Sequence, residues 1–197
     1  GAYAQWKSFV KANKIDASKV KIENVGFPVR EPMLAAGKVH AITGYSFSSY
    51  INLASKGIPE SDISLLLMSD YGLKLYGNAV IVNTDFAKKN PEQVKSFLAA
   101  TVKGMKEMIN DPESTIPYVL KYNKIAKAKT ETTRLKMAIR DNIVTDKVKA
   151  DGIGSVDMSR LNDSIKQLSE TYTFKTKISG EKVFDNSYLP DTFKRKL

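Results

Sequence analysis

The 197 residues are 42% hydrophobic and 26% charged, an ordinary globular composition that excludes disordered, collagenous and low-complexity classes. With no cysteine there is no disulfide, zinc–thiolate centre, iron–sulfur cluster or thiol nucleophile, and a single histidine, His40, leaves no multi-histidine metal site. Net charge is +10, but only five basic residues are arginine and the lysines are spread along the chain, which describes a solvated surface rather than a nucleic-acid groove.

In chain order, Tyr3, Trp6, Phe9 and Val10 recur at helical spacing. Residues 20–25 alternate apolar and polar, as a strand does, and Gly26-Phe27-Pro28 ends them. A short helix over 30–36 closes at Gly37, and a short strand over 39–43 ends in Gly44. Ser46 or Ser48 caps a helix to Ser55 with Gly57 as its stop. Residues 63–68 form a continuous apolar run of strand length, patterned for burial on both faces. A glycine-punctuated connector over 69–77 leads to another strand over 78–83.

Asn90-Pro91-Glu92 is a helix start. The positions behind it, from Val94 to Ile109, keep one face apolar, with Phe97, Met105 and Met108 on that core stripe. Asp111-Pro112-Glu113 repeats the signal for a helix to about Tyr122. Further helices are predicted over 130–143 and around Val156, Leu161, Ile165 and Leu168. Gly152-Ile153-Gly154 reads as a loop, and the tail carries apolar anchors at 183–184 and 188–190. Strands alternating with helices in the first half predict an α/β fold with a parallel sheet, and the long helical second half predicts that this chain is part of a larger α/β protein. The chain opens at Gly1 rather than Met, so a cleaved or shortened start is expected to be compatible with it.

The ordered series Arg30-Glu31-Pro32-Met33-Leu34, Gly37, Val39, Ala41, Gly44, Tyr76-Gly77-Asn78-Ala79, Asn90-Pro91-Glu92, 152–157 and 184–190 resembles the substrate-binding proteins of ABC importers in the nitrate/sulfonate/taurine and NMT1/THI5-like family. The resemblance implies a type II periplasmic-binding-protein fold of two α/β lobes with ligand held in the cleft between them. Residues 1–76 then correspond to most of the second lobe. Residues 77–197 correspond to the returning hinge strand, the helical C-terminal part of the first lobe and its tail. One departure is His40, where family members commonly carry an acidic residue.

Ligands of open α/β sheets sit beyond the carboxyl ends of strands. Phe27 follows one such end, and Gly44, Tyr45 and Ser46 follow another. Glycine lets backbone approach a ligand, Ser46 offers donors at a helix start, and Tyr45 stacks on a ring or donates its hydroxyl; the alternative is that these are ordinary turn residues. Arg30 pairs with an anionic ligand or with a neighbour such as Glu31. Gly1-Ala2-Tyr3 would face the cleft from a helix start, making Tyr3 a candidate, whereas Trp6 packs in the core. Tyr71, Tyr76 and Asn78 flank the expected hinge strand, with Tyr76 and Asn78 the site candidates and a core tyrosine with a bonded hydroxyl the alternative.

No catalytic residue, cofactor or metal is expected. The implied partners are a small ligand (pyrimidine-like, nitrate or sulfonate, with the tyrosines favouring the ring) and an ABC permease with its ATPase. A monomer is expected, periplasmic or attached at the cell surface, with no nucleic-acid partner and membrane contact only through the permease. A THI5-type pyrimidine-precursor synthase and a ligand-sensing receptor module are the alternatives. The absence of cysteine weighs against the synthase, whose relatives use a cysteine-rich motif. The densest lysine runs, Lys124, Lys127 and Lys129, then Lys147 and Lys149, lack interleaved stacking aromatics, though salt-dependent binding to anionic surfaces stays open.

Overall fold

Most helix signals in the sequence become helices, several with shifted starts. The computed structural model describes residues 2–197, without the side chains of Ala2 and Ala4. Helix α1 spans Ala2–Ala12. Helix α2, Phe27–Ala35, begins three residues before the predicted start: Gly26 is its extended N-cap, and Pro28 is tolerated in the first turn, where an amide has no partner to lose. Helix α3, Ser46–Ser55, starts behind Tyr45, so the serine expected as cap is the first helical residue instead. Gly37 and Gly57, at φ +67° and +86°, supply the left-handed residues that turn the chain away after α2 and α3.

Helix α4, Thr84–Lys89, was not foreseen; the Asn83 carboxamide oxygen caps it by accepting from the amides of Asp85 and Phe86, each at 3.0 Å. Helix α5 is Pro91–Asn110 and α6 is Pro112–Tyr122, its start capped by Asp111 accepting from the Ser114 amide at 3.2 Å. Helix α7, Ala128–Ala138, runs into a π turn at Ile139–Ile143. Helix α8 (Asp146–Asp151) precedes the Gly152 loop, α9 is Met158–Ser169, and α10 (Gly180–Val183) and α11 (Thr192–Arg195) are single turns in the tail.

The predicted strands do not form ladders. Residues 20–25, 39–43, 63–68 and 78–83 carry no paired strand among the described residues. The backbone is extended at Val20, Ile63, Leu67 and Asn83, so the local preference of the sequence is met at those positions, while Met68 at the end of the third segment opens a 3-10 turn. What is missing is a neighbour: a strand is stabilised only when its N–H and C=O groups meet those of another. Many apolar side chains of these segments face outward accordingly, most extremely Ile81 at 91% exposure, with Ile22, Leu66 and Val80 also exposed, whereas Val39, Ile42, Ile63, Leu67 and Met68 are half-buried. Phe97, expected on the core stripe of α5, is likewise exposed, while Val94 and Val102 of that stripe are buried.

The chain forms two compact units. The first comprises the chain up to Leu75 together with Asn162–Lys177; the second comprises Tyr76–Leu161 and Ile178–Leu197. In the first unit the C-terminal part of α9 is tied to the connector by Ser164 donating to the Lys74 carbonyl (2.8 Å) and Gln167 to that of Gly72 (3.1 Å). Ile51, Leu53 and Leu73 are its buried apolar residues. In the second unit Ala87, Val94, Val102, Ile116, Met137 and Ile153 are buried, and α5, α6 and α7 pack successively.

The tail of the second unit is fastened by Arg195. Its guanidinium, in a residue only 7% exposed, donates to the carbonyls of Pro190 (2.7 Å) and Ile153 (2.8 Å) and to the hydroxyls of Ser155 (2.8 Å) and Thr192 (3.3 Å). Gly152 must be glycine here: its φ is +86°, and a Cβ would lie 3.0 Å from the Arg195 backbone carbon. The predicted tail anchor at Leu189 packs beside Gly154. No helix among the described residues is long and apolar enough to cross a membrane.

Candidate functional site

The first unit brings five of the sequence candidates to one corner, where α2 and α3 meet. Arg30 is the tie. Its Nη1 donates to the Thr43 carbonyl at 2.9 Å and its Nη2 to the Ser49 hydroxyl at 2.9 Å, while Nε and Nη2 both reach Oε1 of Glu31. Glu31 is buried, and its burial pushes the carboxyl pKa up. Hydrogen bonds from Arg30, Ser49 and its own amide, with the Arg30 charge, outweigh that and hold it below the ordinary value, so it stays ionised. The corner is therefore an ion pair with balanced charge, and of the two roles open to Arg30 the structure shows the pairing with its neighbour.

Gly44 is part of the same packing. A Cβ there would fall 2.6 Å from the Ser49 hydroxyl and 2.7 Å from Arg30 Nη1, so a side chain at this position would push the guanidinium off its partners. Phe27 lies with its ring centroid 5.5 Å from the Arg30 guanidinium carbon and is 77% exposed. Tyr45, 55% exposed, stacks on Phe47 with centroids 5.4 Å apart and planes 18° apart. Two aromatic rings are thus presented at one polar corner.

Ser46 completes the group. It is the first residue of α3, the helix has no side-chain cap, and the serine is 9% exposed. Its hydroxyl is buried without a hydrogen-bond partner. A buried hydroxyl left unpaired is costly, and the start of a helix carries partial positive charge.

The other candidates lie elsewhere. Tyr3 is exposed on α1 with the Lys7 ammonium 4.7 Å from its ring; Gly1 falls outside the described residues. Tyr71 meets Phe9 edge to face, and its carbonyl accepts from Asn13 at 2.9 Å. Trp6 is partly buried and stacks on Phe9 at 6.0 Å. Tyr76 belongs to the second unit, where its hydroxyl accepts from the Asp157 amide at 2.9 Å and its ring carries the Arg160 guanidinium at 4.4 Å. Asn78, also in that unit, is exposed, as is His40 in the first.

Sequence reasoning weighed Glu31 only as a salt-bridge neighbour of Arg30 and passed over Ser49 and Phe47 as site partners. The acid beside Arg30 and the Tyr45-x-Phe47 spacing were the available signals. No group of three or more His, Asp or Glu residues that could hold a metal occurs among the described residues.

Comparison with known proteins points one way. A family model described as "NMT1/THI5 like" matches residues 2–115, more than half of the chain. The chain is also similar to the riboflavin-binding protein RibY of Chloroflexus aurantiacus, with 22% identity over 111 residues, which is 56% of this chain and 30% of that protein. The match therefore spans about a third of the relative's length.

Proposed function

Because the chain belongs to the NMT1/THI5-like family, we propose that it is the solute-binding component of an ABC import system, which captures a small, neutral, flat heteroaromatic molecule at the α2–α3 corner. The family is largely one of substrate-binding proteins, and the riboflavin-binding relative supports a solute-binding role. The ring is the finer reading, and one observation carries it: Arg30 is already neutralised by Glu31, while Phe27 and Tyr45 stay exposed beside the unpaired Ser46 hydroxyl. An anion such as nitrate or a sulfonate would have to compete with Glu31 for the only guanidinium at the corner. A neutral ring gains stacking area on the two aromatics and gives one acceptor to Ser46.

In this reading the molecule is bound and handed on unchanged, outside the cytoplasm, to a permease and its ATPase, and the protein acts as a monomer. The extended apolar segments at 20–25, 63–66 and 78–82 are sheet strands whose partners lie outside these 197 residues, which accounts for exposed Ile22, Leu66 and Ile81. The test is a thermal-shift panel of riboflavin, a free pyrimidine, nitrate and taurine, because a ligand that binds only the folded state raises the midpoint. The expected result is a saturable rise with a ring compound and none with the anions. A rise with nitrate or taurine alone, or conversion of any bound ring into a product, contradicts the reading.

A further inference from the structure

We propose that the tip of the α6–α7 hairpin docks on an anionic lipid surface. The two helices are antiparallel: Glu113 at the start of α6 pairs with Lys136 near the end of α7 at 2.7 Å. That clasp closes the base of the hairpin and leaves residues 122–127 as its far end. There the Asn123 amide closes α6 on the Val119 carbonyl at 2.9 Å, and the Ala126 amide donates to the Asn123 carbonyl at 3.2 Å, making a tight turn. The turn carries Tyr122 at 86% exposure and Ile125 at 92%, with Tyr118 exposed one turn back on α6.

The charge at this tip has one sign. Residues 114–130 contain Lys121, Lys124, Lys127 and Lys129 and no Asp or Glu. None of these four lysines forms an ion pair among the described residues. Lys95, Lys103, Lys136, Lys147 and Lys149 of the same unit each do. The Lys121 ammonium lies 6.0 Å from the centre of the Tyr122 ring. An aromatic and a branched aliphatic residue at an apex, ringed by lysines without counter-charge, match the layering of a bilayer face: apolar groups enter the headgroup boundary while long basic side chains reach the anionic headgroups.

The same features disfavour the other occupants. A nucleic acid favours arginine forks, whereas the basic residues of this tip are all lysines and its most exposed side chain is the aliphatic Ile125. A second copy in a symmetric contact would set four unpaired lysines against the same four. Direct attachment goes beyond the sequence reading, which assigned membrane contact to the permease alone, and it does not depend on the identity of the solute.

Flotation of the chain with phosphatidylcholine vesicles and with mixed phosphatidylcholine–phosphatidylglycerol vesicles tests this. Binding is expected to the mixed vesicles only and to weaken with added salt. Replacing Lys121, Lys124, Lys127 and Lys129 together by Gln should lower the partition coefficient on the order of 100-fold or more, at about a tenfold factor or less per lysine. Replacing Lys95, Lys103, Lys147 and Lys149 by Gln removes the same charge and should leave most binding intact. Ile125→Asn should weaken binding at unchanged charge. In a Trp6→Phe background, Tyr122→Trp should shift its emission to the blue on mixed vesicles.

Circular dichroism confirms the fold of each variant, and all replaced lysines and Ile125 are exposed. No binding to mixed vesicles, equal loss in the two lysine variants, or no effect of Ile125→Asn overturns the proposal. So does tighter binding to an oligonucleotide than to mixed vesicles, or a dimer that Ile125→Asn dissolves.

Discussion

Arg30 and Arg195 both hold guanidinia withdrawn from solvent and both lie against a glycine, Arg30 through its guanidinium at Gly44 and Arg195 through its backbone at Gly152, yet their surroundings differ in kind. Arg195 makes four hydrogen bonds to carbonyls and hydroxyls of the second unit and closes a tail over the Gly152 loop. Arg30 is charge-balanced by Glu31, with the exposed Phe27 ring 5.5 Å from its guanidinium carbon, while the start of α3 carries exposed Tyr45 and the buried Ser46 hydroxyl with no partner. Satisfied polar groups bounded by their own chain belong to stability. The charge-neutral Arg30 corner, with its unpaired hydroxyl, is the one to which we assign the proposed ligand. The comparison can be broken at either end.

The largest effect is expected at Glu31. Glu31→Gln leaves the Arg30 guanidinium largely buried without a carboxylate, and urea unfolding should show a loss of about 3 kcal/mol. The same residue gives a pH signature. Its folded pKa lies below the ordinary 4.5, so its stabilisation is fully present above that value and is lost as pH falls toward the lower folded one. The Gln variant should lose less stability on acidification than the parent. A parallel decline in both proteins would place the acid sensitivity elsewhere.

Next comes Arg195→Met, which strands the Ile153 and Pro190 carbonyls and should cost about 2–3 kcal/mol while leaving ring-ligand affinity unchanged. A matching drop in affinity would mean that the two arginines do not serve separate purposes. The smallest stability effect is at Ser46. Ser46→Ala removes an unpaired hydroxyl and should change stability by less than about 1 kcal/mol, yet weaken ring binding roughly fivefold, measured by titration calorimetry.

How much of this was legible in the sequence follows from the range of each interaction. The starts of α5 and α6 were readable because Asn90-Pro91 and Asp111-Pro112 act within one turn, and the Gly152 loop because glycine there serves a local backbone need. Helix α4 was missed although Asn83 caps it, because the apolar run at 79–82 dominated the reading of that stretch. The strands failed for the opposite reason. Alternation at 20–25 and the apolar run at 63–68 record a preference for extended backbone, which is present, but a ladder depends on a second segment that no local pattern specifies. At the corner, Phe27, Arg30, Gly44, Tyr45 and Ser46 were readable as candidates. That Arg30 gathers them, and that Glu31 cancels its charge, depends on α2 and α3 packing together.

The most direct test of the proposed ring binding at the α2–α3 corner is a calorimetric titration of riboflavin and of a free pyrimidine into the parent chain and into Tyr45→Ala. Tyr45 is exposed and its replacement opens no core. The account predicts measurable binding of at least one ring compound to the parent and a loss of about five- to tenfold in Tyr45→Ala, the worth of one aromatic stacking contact. Equal affinity in the two proteins would contradict it.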